Sequence, residues 1–513
     1  MYPGAYLDTA AHKPAVIMAD TGRTVTFAEL EANSIRIARH LRALGLCRGD
    51  HVAVLATNTP RVFDIYWAAM RSGLYVTMVN WHLTPGEAAY IVDDCGAKAV
   101  IVDAALTEIA GELPALLPNT EHRLGFGGTL PGYADLDAAA AAESDVALAD
   151  QPRGTDMLYS SGTTGRPKGI KPALPDRQVH EPGDTMTAMN ASVWGVNSET
   201  VYLSPAPLYH AAPLRTCAAV QALGGTVVVM DRFDAEKALE YIERYRVTYS
   251  QWVPTMFVRM LKLPEDVRSR YDVSSLQVAV HAAAPCPIEV KRQMIAWWGP
   301  ILSEYYSSTE LNGLTLVDTD EWLRKPGTVG RAALGIVHIC GENGDDLPTG
   351  QIGTIYFERD VLPFEYHNAP EKTRDAQHPR HPAWTTTGDV GYLDEDGYLF
   401  LTDRDSFMII SGGVNIYPQE IENALVEHPK VLDAGVIGVP DAEMGEIVTA
   451  VIQPAPGVDG DDTLAAELAD HLRGRLAKYK LPRRIVFSDD MPRTPTGKLV
   501  KRKLKERFVD TPV

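Results

Sequence analysis

Cysteine is scarce in this chain. Five residues in 513 (Cys47, Cys95, Cys217, Cys286 and Cys340) are odd in number and widely spaced, with no CxxC pair and no His/Cys cluster. That supports neither a disulfide framework nor structural zinc. Positive charge is in deficit: 48 Lys and Arg stand against 67 Asp and Glu, a net charge of −19. This argues against a nucleic-acid binder, which needs a basic surface to neutralise phosphates. No stretch reaches the roughly 18 consecutive apolar residues of a membrane-spanning helix. Met1-Tyr2-Pro3-Gly4 shows neither a basic-then-apolar leader nor the Gly at position 2 that myristoylation needs. Neither GxSxG nor HExxH occurs. At 45% hydrophobic and 22% charged residues the chain is too apolar for disorder. These absences lead us to expect a soluble protein of a reducing cytoplasm, long enough for three units of ~150 residues.

What is present is an alternation of helix and strand signals over the first 260 residues. Thr26 and Glu29 make a capping-box pattern. Leu30, Ser34, Ile37, Ala38, Leu41 and Leu44 follow at helical spacing and Gly45 closes the segment. The β-branched runs 51–56, 97–103, 226–230 and 247–253 read as strands buried on both faces. The expected fold class is therefore α/β, a large N-terminal domain of mainly parallel sheets flanked by helices. Residues 135–155, rich in Ala and Asp, form one seam. A second lies near 403–406, after which a small α+β unit is expected, with a helix after Pro418, strands at 431–439 and 446–453, and a helix bearing Leu464, Leu468, Leu472 and Leu476. From Lys478 onward eleven basic side chains face four acidic ones. A solvated helix face is the plain reading of that excess, and a surface for an anionic ligand the sharper one.

The most informative stretch is Tyr159-Ser160-Ser161-Gly162-Thr163-Thr164-Gly165-Arg166-Pro167-Lys168-Gly169. Its glycines let the backbone turn tightly against a ligand, and hydroxyls, amides and a Lys supply donors for phosphate oxygens. A Walker A loop would need Gly where Pro167 stands and Ser or Thr where Gly169 stands, so it is a different kind of phosphate cradle. Gly125-Phe126-Gly127-Gly128-Thr129-Leu130 lacks the third glycine of a dinucleotide fingerprint.

The loop resembles that of the adenylate-forming superfamily, which holds acyl-CoA synthetases, adenylation domains and firefly luciferase. Further motifs follow in the family's order. They are Pro207-Leu208-Tyr209-His210, Tyr305-Tyr306-Ser307-Ser308-Thr309-Glu310, Trp384-Thr385-Thr386-Thr387-Gly388-Asp389, Asp403-Arg404 with Ser411-Gly412-Gly413 beyond it, and Pro495-Thr496-Gly497-Lys498. The resemblance implies an N-terminal domain over 1–403, a hinge at 404–406 centred on Ser406, and a mobile C-terminal domain over 407–513. It implies ATP, Mg²⁺ and coenzyme A as co-reactants. ATP would be held by Ser160, Ser161, Gly162, Thr163, Thr164, Gly165 and Lys168 at the phosphates. Ala283, Ala284 and Pro285 would lie at the adenine, and Tyr306, Thr309, Asp389, Arg404 and Lys498 would complete the nucleotide site. Glu310 with Thr163 would hold the metal, a hard cation that prefers oxygen ligands. Thr309-Glu310 taken alone reads as a helix start, and a lone Gly-Asp as a turn. Lys498, with Glu310, Thr163 and His210, would carry catalysis, stabilising charge that gathers around the α-phosphate in the transition state. Gly412 and Gly413 would let the pantetheine arm of CoA pass close to the backbone. His210, Ala211, Trp252, Val253, Tyr305 and Leu311 would line the acyl pocket.

The implied function is an AMP-forming acyl-CoA synthetase acting on a hydrophobic acid: fatty, branched, aryl or sterol-derived. Two alternatives stand beside it, an enzyme that loads a carrier protein and a non-catalytic adenylate-binding protein. Ala211-Ala212 follows His210 where amino-acid-activating relatives carry Asp, and no carrier motif follows Lys498. Lys498, Glu310 and the phosphate loop, which a non-catalytic relative would have lost, are all kept. The sequence departs from the family at Ser307, at Tyr305 (small in many relatives), at Ala283 (usually Gly) and at Ser406. The segment 171–184, rich in Pro and charge, is expected to be a lid or part of an entrance. Nothing in one chain fixes the oligomeric state, and a homodimer stays open.

Overall fold

The computed structural model describes residues 1–160, 167–404, 407–411, 414–441, 444–473, 475–494 and 499–508. Ser161, Gly162, Thr163, Thr164, Gly165, Ser406, Gly412, Gly413 and Lys498 lie outside the described residues, as does the side chain of Arg404.

The capping box forms as expected. Thr26 Oγ1 accepts from the Glu29 amide, Glu29 Oε2 accepts from the Thr26 amide at 2.8 Å, and the helix runs Phe27–Ala43. The β-branched runs become strands His51–Leu55, Ala97–Asp103, Thr226–Val229 and Tyr249–Trp252. They fall in two sheets. A six-stranded sheet centred on His51–Leu55 is parallel throughout. A nine-stranded sheet has a parallel middle and antiparallel edges. The core between them collects Phe27, Ile37, Phe63, Trp67, Leu214 and Tyr249. The outer face of the nine-stranded sheet is covered by helices Ala235–Tyr245, Pro254–Leu261 and Ile288–Trp298.

Side chains alternate strictly along these strands, as the pleat requires. Val227, Val229, Tyr202, Tyr249, Val280 and Tyr305 face the inter-sheet core, whereas Val228, Met230, Leu203, Trp252 and Ala279 face the outer one.

After strand Leu399–Arg404 comes the smaller α+β domain. Helix Pro418–Val426 and helix Asp462–Arg473 pack on the long antiparallel pair Val431–Asp441 and Gly445–Pro454, with Leu464, Leu468 and Leu472 buried. Lys262 of the large domain ties the two parts, reaching the carbonyls of Val431 and Leu432. No described helix is long and apolar enough to cross a membrane. Segment 171–184 is pinned back to 151–153: Arg153 N donates to Arg177 O and Val179 N to Gln151 O, each at 2.8 Å. None of its residues lines the cavity described below; Asp176, Arg177, Gln178 and Glu181 line a second one, with Arg48 and Pro152.

Candidate active site

The Tyr305–Glu310 and Trp384–Asp389 motifs meet at the C-terminal end of strand Leu302–Ser307. Tyr306 donates to Asp389 Oδ2 at 2.7 Å, and Thr387 donates to the same oxygen at 3.0 Å. Gly388 turns the chain there with φ +81°. Asn312 Nδ2 donates to Thr385 O at 3.2 Å, which fixes one motif against the other. Thr309-Glu310 forms a turn rather than a helix start. Leu311 takes a left-handed φ of +50°, and its carbonyl accepts from Arg359 at 3.2 Å. Gly313 permits this packing, because a Cβ there would lie 1.8 Å from the Phe357 ring. A bulky residue in the left-handed region costs about 1–3 kcal/mol and persists only where its surroundings over-determine it.

At the other end, Ser160 and Lys168 close the base of the phosphate loop: Ser160 N donates to Lys168 O at 2.9 Å, and Lys168 N to Ser160 Oγ at 3.3 Å. Lys168 Nζ lies 4.9 Å from the Tyr366 ring centre, and the Tyr366 hydroxyl donates to Glu310 Oε1 at 2.8 Å. One tyrosine thus joins the phosphate-loop lysine to the acidic residue. It is brought there by strand pairing, Ile170 opposite Tyr366. Among the described residues no group of three His, Cys, Asp or Glu could hold a metal by itself. A single carboxylate fits Mg²⁺, which commonly takes one or two carboxylates and completes its shell with substrate phosphates and water.

Between these ends and the small domain lies a cavity of about 500 Å³. Ala283, Ala284, Pro285, Tyr305, Tyr306 and Asp389 line it from the large domain. Asn423, Arg493 and Leu499 line it from the small one, so the residues flanking the 495–498 motif stand at its wall. Arg493 is held there by a bidentate pair with Asp433, at 2.5 and 2.6 Å. Ala283 has φ +74°, a conformation glycine adopts freely. Several basic residues of the tail are paired inside the small domain: Lys501 with Glu422 and Lys505 with Glu446, each at 2.9 Å, and Arg507 with Asp490 at 3.1 Å.

The residues expected around the acid are only partly together. His210 stands at the N-cap of helix Ala211–Ala222, its ring 4.5 Å from that of Tyr209, and Ala211 packs on the inter-sheet core. Tyr305 reaches the same core. Trp252 and Val253 do not: Trp252 points to the outer face, against Trp298 and Phe257 at 5.6 and 6.3 Å. Gln251, not Trp252, is the neighbour of Tyr305, and donates to its hydroxyl at 2.8 Å.

Three groups near the cavity escaped the sequence reading. Tyr366 sits outside every motif. Arg215 makes a buried pair with Asp156, its Nε 2.9 Å and its Nη2 2.6 Å from Oδ2, and Nη1 donates to Thr309 O at 3.3 Å. A lone Arg in the apolar run Ala-Ala-Pro-Leu-Arg-Thr-Cys-Ala-Ala-Val was the available signal, since a buried charge is nearly always paired. Lys291 donates to Glu304 Oε2 at 2.6 Å with both side chains buried, and His281 Nε2 stands 3.5 Å from the same oxygen. Burial pushes the Glu304 carboxyl up, against the pull of Lys291. Burial, reinforced by the Lys291 charge, holds His281 well below the usual imidazole range, hence neutral.

The chain is similar to known proteins along nearly its whole length. Residues 6–363 match the AMP-binding enzyme family profile, and 420–498 that of the AMP-binding enzyme C-terminal domain. The long-chain-fatty-acid–CoA ligase FadD13 of Mycobacterium tuberculosis is 32% identical over 505 residues, 97% of this chain and 96% of the relative. A feruloyl-CoA synthase of Amycolatopsis is 34% identical over 496 residues, 95% of this chain and 94% of the relative. The crystal structure of ATP-bound MatB from Rhodopseudomonas palustris superposes with a TM-score of 0.82 at 30% identity, covering 99% of both chains. On its sequence, its fold and the meeting of its motifs, the chain belongs to the AMP-binding enzyme family of adenylate-forming proteins.

Proposed function

We propose that this protein is an AMP-forming acid–thiol ligase that activates a hydrophobic carboxylic acid as its adenylate and transfers the acyl group to coenzyme A. The observation that carries the reading is the single cavity on which Asp389–Tyr306 and Ala283–Pro285 converge, beside the Glu310–Tyr366–Lys168 cluster. Its match to CoA ligases along nearly the whole chain supports the acceptor.

Adenine lies against Ala283–Pro285, and the ribose hydroxyls donate to Asp389, whose carboxylate is already oriented by Tyr306 and Thr387. Lys168 and the loop hydroxyls of Thr163 and Thr164 hold the β- and γ-phosphates. Glu310 would hold Mg²⁺, which would supply positive charge against the phosphate oxygens. The acid's carboxylate oxygen attacks the α-phosphorus and the bond to the β-phosphate oxygen breaks. Lys498 stabilises the charge that develops there, an interaction stronger in the transition state than before it. The CoA thiol then loses its proton to water, its sulfur bonds to the acyl carbon, and the bond from that carbon to the phosphate oxygen breaks, AMP leaving with its electron pair. A thiol of pKa near ~8.5 is already partly ionised near neutrality, so this step needs no strong base. Domain 407–513 turns about Ser406 between the steps, withdrawing Lys498 and bringing Gly412–Gly413 to the pantetheine arm. A cytoplasmic setting, where ATP and reduced CoA are held, fits this reading, and the mass in solution decides between a single chain and a homodimer.

The test is ATP- and acid-dependent pyrophosphate release across a panel of acids, with and without CoA. Sustained turnover that needs CoA supports the ligase. A single burst that CoA cannot extend overturns CoA as acceptor, and no release with any acid overturns adenylation.

A further inference from the structure

Behind Tyr305 stands a stack of buried rings. The Tyr305 ring packs on Trp194 with centres 6.0 Å apart, Trp194 on Tyr249 at 6.1 Å, and Tyr249 on Tyr202 at 5.0 Å. The Tyr305 hydroxyl accepts from Gln251 Nε2 at 2.8 Å. Gln251 Oε1 in turn accepts from Thr216 at 3.2 Å and from Tyr202 at 3.4 Å. All of these side chains are buried. The Arg215–Asp156 ion pair adjoins this wall, since Arg215 is the chain neighbour of Thr216 and donates to Thr309 O at 3.3 Å.

We propose that this wall sets the substrate class: the acid is compact, a single ring or a short chain, and long alkyl acids are excluded. The inference rests on the acyl-adenylate reading above and narrows it. A long chain leaving the α-phosphate past Tyr305 would have to part the stacked rings and strip acceptors from buried hydroxyl and amide donors, which is costly because no water replaces them. It would also bring methylenes against a buried ion pair that offers them nothing. In this arrangement Tyr305 determines specificity, and Gln251 is a positioning residue that holds its ring across the pocket.

The first test needs no turnover. Two non-hydrolysable sulfamoyl-adenosine mimics of the intermediate, one benzoyl and one hexadecanoyl, are titrated into the wild-type enzyme. We expect the benzoyl mimic to bind at least tenfold tighter; equal or tighter binding of the hexadecanoyl mimic overturns the proposal. If both bind yet no acid releases pyrophosphate, the catalytic reading has failed and the pocket argument has not. Turnover gives the second test. The ratio of kcat/KM for benzoate-sized or hexanoic acids over hexadecanoic acid should exceed ten in the wild type and shrink at least tenfold in Tyr305→Gly. A variant that still adenylates the compact acids with an unchanged ratio overturns Tyr305 as the stop. Gln251→Leu should shrink the ratio less, through KM rather than kcat.

Discussion

At strand Leu302–Ser307 the two faces of the nine-stranded sheet hold the strand's own polar side chains in different ways. Toward the inter-sheet core, Tyr305, Gln251, Tyr202 and Thr216 form a chain of neutral hydrogen bonds. One residue back along the same strand, Glu304 points to the outer face and is matched by the charge of Lys291, beside a neutral His281. Neutral donors and acceptors exchange partners at modest cost, whereas a buried charge stripped of its partner does not. The neutral network can therefore exchange residues at modest cost, whereas on the opposite face neither Lys291 nor Glu304 can be lost alone without leaving its partner buried and unpaired.

Mutations on the two faces should differ in magnitude and in pH dependence. The largest effect should come from Lys291→Met, which leaves Glu304 buried and unpaired and should cost about 3–5 kcal/mol in urea unfolding near neutral pH. Because the Glu304 carboxyl is already raised, that deficit should shrink as pH falls toward its unfolded value, since a protonated acid needs no cation. A deficit independent of pH would mean that packing over Trp322, whose ring lies 4.8 Å from Lys291 Nζ, matters more than charge. Next in size, Tyr305→Phe takes the acceptor from Gln251 and should cost about 1–3 kcal/mol with no pH dependence; a cost equal to that of Lys291→Met would erase the distinction between the faces. Third, His281 is kept neutral, so it contributes stability that is present above its unfolded pKa and lost as pH falls below about 6.5. The slope is at most about 1.4 kcal/mol per pH unit. His281→Asn should flatten the acid limb of the urea midpoint, and an unchanged limb would remove His281 from the account. The smallest effect is expected just past the charged face, at Ala283. Its left-handed backbone costs roughly 1–2 kcal/mol, offset by the greater unfolded freedom of glycine, so Ala283→Gly should raise stability by about 1 kcal/mol or less. A loss instead would show that the methyl group packs.

Local patterns were legible because local physics decides them. The Thr26–Glu29 box formed bond for bond, and the β-branched runs became central strands to within two residues at either end. The motif residues Tyr306 and Asp389 turned out to be hydrogen-bonded partners. The pocket list failed where a two-residue period was ignored. Gln251 and Trp252 are neighbours in one strand and must point to opposite faces, so both could not stand beside Tyr305. Which of the two faces the cavity is a matter of how helices dock, and that is written nowhere near residue 251. Tyr366 was hidden for a similar reason: its role comes from strand pairing with a segment nearly 200 residues earlier.

That long-range pairing bears on how the enzyme is made. The phosphate loop and Glu310 leave the ribosome well before Tyr366, the residue that joins them. A nascent chain therefore carries both halves of a phosphate grip that stays open until strand Glu365–Tyr366 has emerged and docked. On the proposed reading ATP meets a finished grip only once Tyr366 has emerged, and stalled chains of stepwise length, photolabelled with an azido-ATP, should begin to label only beyond that point.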